Sequence, residues 1–168
     1  MKRIAIAAVA LVTLVLAGSA AAAGGKPTTF DTGFTLTSET CPNLPPGTTV
    51  TGTGVGTSVD RAVTDQNGVT TVMNTTHEFG TATDQDGNTY VFQYANSFRV
   101  SDSAANPGVF NGQMTDHFSL SGPGPATLSN GFVANISTDF FSFFTFDPIA
   151  SHGDPLDFAT GEELCDPL

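Results

Sequence analysis

The residues of this sequence that could do chemistry are a few polar side chains set among aromatic ones at alternating positions. Asn96, Asp116 and Asn130 each fall on the aromatic-rich positions of a predicted β-strand, and Tyr94 shares the positions of Asn96. A strand points successive side chains to opposite faces, so these four are expected on the inner face of a β-rich fold. Ligand pockets commonly place a few such polar groups among apolar walls. We therefore take these residues, together with His77, as candidates for binding a small ligand.

Asp116 is the candidate general acid or base if the chain is an enzyme, because burial raises the pKa of a carboxyl group. The alternative is that these polar residues are hydrogen-bonded core or rim groups without a chemical role. The sequence contains no G-x-S-x-G and no phosphate-binding loop, so hydrolase and nucleotide-binding activities have no motif to support them. We assign no catalytic residue and no cofactor, and a non-enzymatic role is favoured.

The sequence predicts no metal site. None of its three histidines lies close enough to another in the chain to form a zinc motif. Residues 84–88 alternate oxygen ligands like the start of a calcium-binding loop, but Gly87 stands two positions before the glycine that an EF-hand requires. We interpret this segment as a hairpin turn.

The element that must position the candidate residues is a strand predicted over residues 89–100. Tyr90, Phe92, Tyr94 and Phe98 recur there at every second position, which is the period of a half-buried strand. Turn-forming sequences such as Asn-Gly separate it from similar stretches. Further strands are predicted at residues 30–39, 48–59, 69–83, 109–121 and 126–137.

Two segments depart from simple alternation. Gly52, Gly54 and Gly56 share one face of the second strand, which indicates close approach of bulky neighbours, strong curvature or space left for a ligand. Residues 140–146 hold five phenylalanines on both faces, so both faces are expected to be covered. The acidic tail at residues 147–168 is the expected cover.

Consecutive strands of this length with short turns predict an all-β fold, an antiparallel meander closing into a small barrel. The predicted barrel is similar to lipocalin-like and allene-oxide-cyclase-like barrels by fold analogy alone. A β-sandwich is the alternative. Residues 24–168 are expected to form a single domain.

Residues 1–23 have the basic start, apolar run and small-residue end of a cleaved secretory signal peptide, which predicts a secreted, extracellular protein. Its removal leaves three basic residues against sixteen acidic ones, a net charge of −13. So acidic a domain repels nucleic acid and anionic membrane surfaces. We expect no membrane span after cleavage.

The two cysteines, Cys41 and Cys165, both follow the predicted cleavage point. Export places them in an oxidising compartment, so a disulfide bond between them is expected. It would hold the tail near the start of the fold.

The threonine- and glycine-rich strands, the scarcity of lysine and the ending SHGDPLDF…CDPL (residues 151–158 and 165–168) carry a resemblance. The mature chain resembles uncharacterised secreted β-rich proteins of high-GC Gram-positive bacteria. The resemblance implies export and an all-β fold, and it assigns no site residue.

Three functions follow as hypotheses. The first is a secreted β-barrel protein that binds a small apolar ligand inside the barrel. The second is a structural or interaction protein of the cell exterior, acting through the phenylalanine cluster with a partner that the sequence does not identify. The third is a cyclase or isomerase that uses Asp116.

Overall fold

The computed structural model describes residues 25–39, 41 and 43–153. The predicted signal peptide, Cys165 and the end of the acidic tail lie outside the described residues. No helix long and apolar enough to cross a membrane occurs within the described ranges.

The described part of the chain is all-β, as predicted. Its seven strands form one antiparallel sheet in which strand order equals chain order. The strands are β1 (Thr28–Thr37), β2 (Thr49–Thr64), β3 (Thr70–Asp84), β4 (Thr89–Ser103), β5 (Asn106–Ser121), β6 (Leu128–Thr138) and β7 (Phe144–His152).

The meander is confirmed, but the predicted closure into a barrel is wrong. In the described sheet β1 pairs only with β2, and β7 pairs only with β6. Pro148 lies within β7 opposite Ala134, beside a register shift in β6. Proline has no backbone N–H to donate, so this edge is poorly suited to accept another strand. Since all seven described strands share one sheet, the alternative sandwich is not formed either.

The sheet is strongly curled towards one face. The ring of Phe34 in β1 lies 4.9 Å from that of Phe92 in β4 and 5.7 Å from that of Phe118 in β5. In a flat sheet β1 and β5 would be about 19 Å apart, at four strand spacings of roughly 4.8 Å. The even-numbered side chains of β1–β5 therefore line a concave face, and the odd-numbered ones lie on the convex face.

Two separate apolar clusters occupy the concave face. The first lies at the end where the proline-rich loop after β1 packs onto the sheet, and Cys41 and Leu44 of that loop are buried in it. The second lies towards the other end of β4–β7, around Val100, Phe110 and Ile136. Polar side chains separate the two clusters.

The phenylalanine-rich segment is not covered on both faces as expected. Phe141 is 91% exposed and Phe144 is 56% exposed. The segment forms a turn and then enters β7, which continues into residues 147–152 of the tail that sequence analysis expected to act as a cover.

Candidate binding site on the concave face

A polar belt crosses the concave face between the two apolar clusters. The antiparallel register places Ser58, Thr76, Asn96 and Asp116 in one row across β2–β5. Every member of the belt is buried or half-buried. Its residues are Ser58, Asp60, Asn74, Thr76, Glu78, Tyr94, Asn96, Asp116 and Asn130.

Asp116 is the centre of the belt. The Tyr94 hydroxyl donates a hydrogen bond of 2.6 Å to Asp116 Oδ2, and Asn96 Nδ2 donates one of 2.7 Å to the same oxygen. Asp116 is only 7% exposed, and its other oxygen, Oδ1, is buried without a hydrogen-bond partner. One half of this carboxyl group is thus fully engaged, and the other half has an open capacity to accept.

Burial dominates the electrostatics of this group. It raises the pKa of Asp116, and the hydrogen bonds from Tyr94 and Asn96 oppose that rise only in part. The pKa of Tyr94 is also raised, first by burial and then by the negative charge of Asp116. The phenol therefore stays protonated and acts as a donor to the carboxyl group.

Asn130 supplies a second buried acceptor without a partner. It is 4% exposed, and its Oδ1 atom makes no hydrogen bond. Asn130 lies opposite Phe118 in the register, two residues along β6 from Phe132, which is opposite Asp116. Gly153, the residue directly after β7, packs closely against it, since a Cβ at Gly153 would lie 2.6 Å from Asn130 Cβ.

The β2–β3 side of the belt is internally satisfied. Asn74 Nδ2 donates to Ser58 Oγ at 2.9 Å and to Asp60 Oδ1 at 2.8 Å. The Thr32 hydroxyl of β1 donates to Glu78 Oε2. These half-buried groups form the solvent side of the belt, and the two oxygens without partners lie on its deeper side.

The structure brings three of the five predicted site residues together. Tyr94, Asn96 and Asp116 are joined by hydrogen bonds, and Asn130 lies on the same face without bonding to them. His77 is exposed on the convex face, because it is one residue out of step with Glu78 of the belt.

Sequence analysis missed the contribution of β3 to the belt. From that strand it proposed only His77, which lies on the same face as Phe79, and Phe79 is 59% exposed. The informative signal was the register: Glu78 pairs with Gly56 and Thr76 with Ser58, so both lie on the face that carries the glycines of β2.

The glycines of β2 accommodate aromatic rings. A Cβ at Gly52 would lie 2.4 Å from the ring of Phe34, and one at Gly56 would lie 2.2 Å from the ring of Phe30. Of the three explanations predicted for these glycines, close approach of bulky neighbours accounts for both positions.

Comparison of the chain with protein-family models, with curated proteins and with solved structures gives no match.

Proposed function

We propose that the chain is an exported, non-enzymatic binding protein whose concave face takes a small molecule that donates hydrogen bonds. The observation that carries the proposal is the pair of buried acceptors without partners, Asp116 Oδ1 and Asn130 Oδ1. Leaving such a group unsatisfied costs about 1–3 kcal/mol. A bound hydroxyl or amine group that donated to these oxygens would recover that cost.

The surroundings define the chemical class of the ligand further. The belt lies between two apolar clusters, and the rings of Phe132 and Phe146 stand 5.1 Å apart near its β6 end. A molecule with an apolar body and a few donor groups fits this arrangement better than the wholly apolar ligand expected from the sequence.

Charge restricts the ligand as well. The belt contains three acidic side chains, those of Asp60, Glu78 and Asp116. Arg61 and Arg99 are exposed at odd-numbered positions on the convex face. A neutral hydroxylated molecule or an amine is therefore favoured, and an anionic ligand is disfavoured.

The test is native mass spectrometry of the mature protein secreted by its own host. We expect a retained small molecule in the wild type and in Asn135→Ala, an exposed position on the same strand as Asn130. Loss of that molecule is expected in Asn130→Ala and in Asp116→Asn. A wild type that is empty in every preparation would overturn the proposal, as would retention by both belt variants. Far-UV circular dichroism checks that each variant is folded.

Chemical conversion of a retained molecule would favour the third hypothesis. The reaction would then be assigned to Asp116, whose carboxyl group is raised in pKa and held by Tyr94. Comparing the molecule recovered from wild type and from Asp116→Asn separates a ligand from a product.

A second candidate function is an interaction protein of the cell exterior, acting through the turn between β6 and β7. Asp139 Oδ1 accepts hydrogen bonds from the backbone N–H groups of Phe141, Ser142 and Phe143 at 2.7–3.2 Å. Phe140 adopts a φ of 63°, and its ring packs 5.0 Å from that of Phe110. The turn is therefore held in one conformation.

This turn presents Phe141 and Phe144 to solvent, and exposed aromatic anchors on a fixed frame are typical of binding hot spots. The test is retention of the secreted protein on its host's cell surface. Phe141→Ser and Phe144→Ser are expected to reduce retention, whereas Phe79→Ser, at another exposed phenylalanine, is the matched control. Equal retention in all of these variants would contradict this function.

A further inference from the structure

Acidic and basic side chains are segregated between the two faces of the sheet. The acidic residues of β2–β5 all occupy even-numbered positions, which are Asp60, Glu78, Asp84, Asp102 and Asp116. Both arginines of these strands, Arg61 and Arg99, occupy odd-numbered positions and are exposed on the convex face. Within these four described strands the convex face therefore carries arginines and no acidic side chain, although the chain has a net charge of −11.

The two arginines belong to one row of side chains that crosses the convex face. The register pairs Arg61 with Met73 and Met73 with Arg99. It then pairs Arg99 with Gln113 and Gln113 with Asn135. Paired residues of neighbouring strands point to the same face, so these five side chains stand in line across β2–β6. Four strand spacings of roughly 4.8 Å make this arginine row about 19 Å long.

The far end of the arginine row is polar and carries no cation. Gln113 Nε2 donates a hydrogen bond of 3.4 Å to Asn135 Oδ1. Both residues line one shallow depression of about 410 Å³, together with Ser137, Thr145 and Asp147. Amide and hydroxyl groups both donate and accept hydrogen bonds, as the hydroxyl groups of a sugar do. Asp147 can only accept when ionised, so this end suits a sugar hydroxyl and not an anionic group.

We propose that the arginine row binds a carboxylate-bearing polysaccharide that lies across the strands. The planar guanidinium group matches the geometry of a carboxylate and forms bidentate pairs with it. A single ion pair in contact with water is weak, so one small anion is not held. A polymer engages both arginines and the depression at the same time, and the separate contacts then reinforce one another.

An acidic peptide fits the row less well, because it satisfies the two arginines and leaves the polar depression beside Gln113 and Asn135 unused. The acidic side chains of the polar belt oppose an anionic partner only weakly at this face. Charges are screened over roughly 8 Å at 0.15 M salt, and the belt lies on the other side of the sheet. The arginine row is also independent of the ligand proposed above for the concave face.

The test is binding of the mature protein to immobilised polygalacturonate at about 0.15 M salt. Dextran serves as the neutral polysaccharide and polyglutamate as the acidic peptide. We expect binding to polygalacturonate, weaker binding to polyglutamate and none to dextran. Arg61→Gln and Arg99→Gln should each weaken binding to polygalacturonate by about fivefold. Gln113→Ala should weaken binding to polygalacturonate and leave binding to polyglutamate unchanged.

Lys26→Gln is the matched control, because it removes the same charge from an exposed position before β1, outside the arginine row. It is expected to bind polygalacturonate like the wild type. The proposal is overturned if the wild type does not bind polygalacturonate, or if it binds dextran equally well. Equal losses in Lys26→Gln and the two arginine variants would overturn it too, since only overall charge would then matter. Polyglutamate that binds as tightly as polygalacturonate would point instead to an acidic protein partner.

Discussion

Gly80→Ala provides a sharp test of the packing between the glycines and the aromatic rings. A Cβ at Gly80 would lie 2.2 Å from the carbonyl oxygen of Thr53 and 2.6 Å from both Gly54 Cα and Phe92 Cε1. Two of these three atoms belong to the backbone of β2, and Phe92 is fully buried. None of them can move aside without shifting the sheet.

Two effects of opposite sign decide the outcome. Replacing glycine by alanine within a strand is intrinsically favourable by roughly 0.5–1 kcal/mol. Overpacking a filled site costs about 1–3 kcal/mol. The backbone contacts put this position at the costly end of that range, so we expect a net loss of about 2–2.5 kcal/mol in the free energy of unfolding.

Gly33→Ala is the matched control. Gly33 is exposed on β1, and the nearest atom to its added Cβ would be the carbonyl oxygen of Gly52 at 3.2 Å. Its free energy of unfolding should be unchanged or raised by up to about 1 kcal/mol.

The assay is urea unfolding followed by far-UV circular dichroism, because the chain contains no tryptophan to report by fluorescence. The midpoint should fall in Gly80→Ala at an unchanged slope. If Gly80→Ala were as stable as the wild type while Gly33→Ala behaved as expected, the glycines of this region would not be required by packing.

Three further predictions concern two buried side chains and the predicted disulfide. Tyr90→Phe removes the hydroxyl that donates to Asp84 Oδ2 at 2.8 Å, and thermal denaturation should show a loss of about 1–3 kcal/mol; an unchanged melting temperature would contradict the importance of this bond. Burial raises the pKa of Asp116 above 3.8 in the folded state, so the folded chain keeps this proton to a higher pH than the unfolded chain does. The contribution of Asp116 to stability therefore falls as the pH rises from the unfolded-state pKa through the folded-state pKa. Asp116→Asn should flatten this part of the pH–stability curve. A curve for the variant that runs parallel to the wild-type curve would refute the assignment of this pH dependence to Asp116. Reduction of the predicted disulfide between Cys41 and Cys165 should lower the melting temperature, by the equivalent of at most about 4–5 kcal/mol, and an unchanged value would show that they are not paired.

Most of the fold could be predicted because its strands alternate strictly. The aromatic residues of β4, at Tyr90, Phe92 and Tyr94, all fall on the concave face as their period required. The Asn-Gly turn after β2 also formed, with Gly68 at a φ of 79°. Strand β7 was missed because its sequence alternates poorly and contains Pro148, which usually marks irregular structure.

The candidate site could be predicted only in part, because its geometry depends on register between strands. Asp116 and Asn96 are direct partners across β4 and β5, and their shared position among aromatic residues was visible in the sequence. The hydroxyls and amides of β2 and β3 had no such aromatic neighbours in the chain. Which face of β3 points inward followed from its pairing with the glycines of β2, and no local pattern contains that information.

The order of the strands has a consequence for how the chain reaches its structure. Each described strand pairs only with the strands directly before and after it along the chain. When such a chain emerges with its N-terminus first, from a ribosome or through a narrow channel, the preceding strand has already emerged before each new strand appears. Each new strand therefore finds a pairing partner at once. Hairpin can be added to hairpin without waiting for a distant segment, since short sequence separations keep the entropy of loop closure low. Curling of the sheet, which brings Phe34 onto Phe118, then requires only that β5 has emerged.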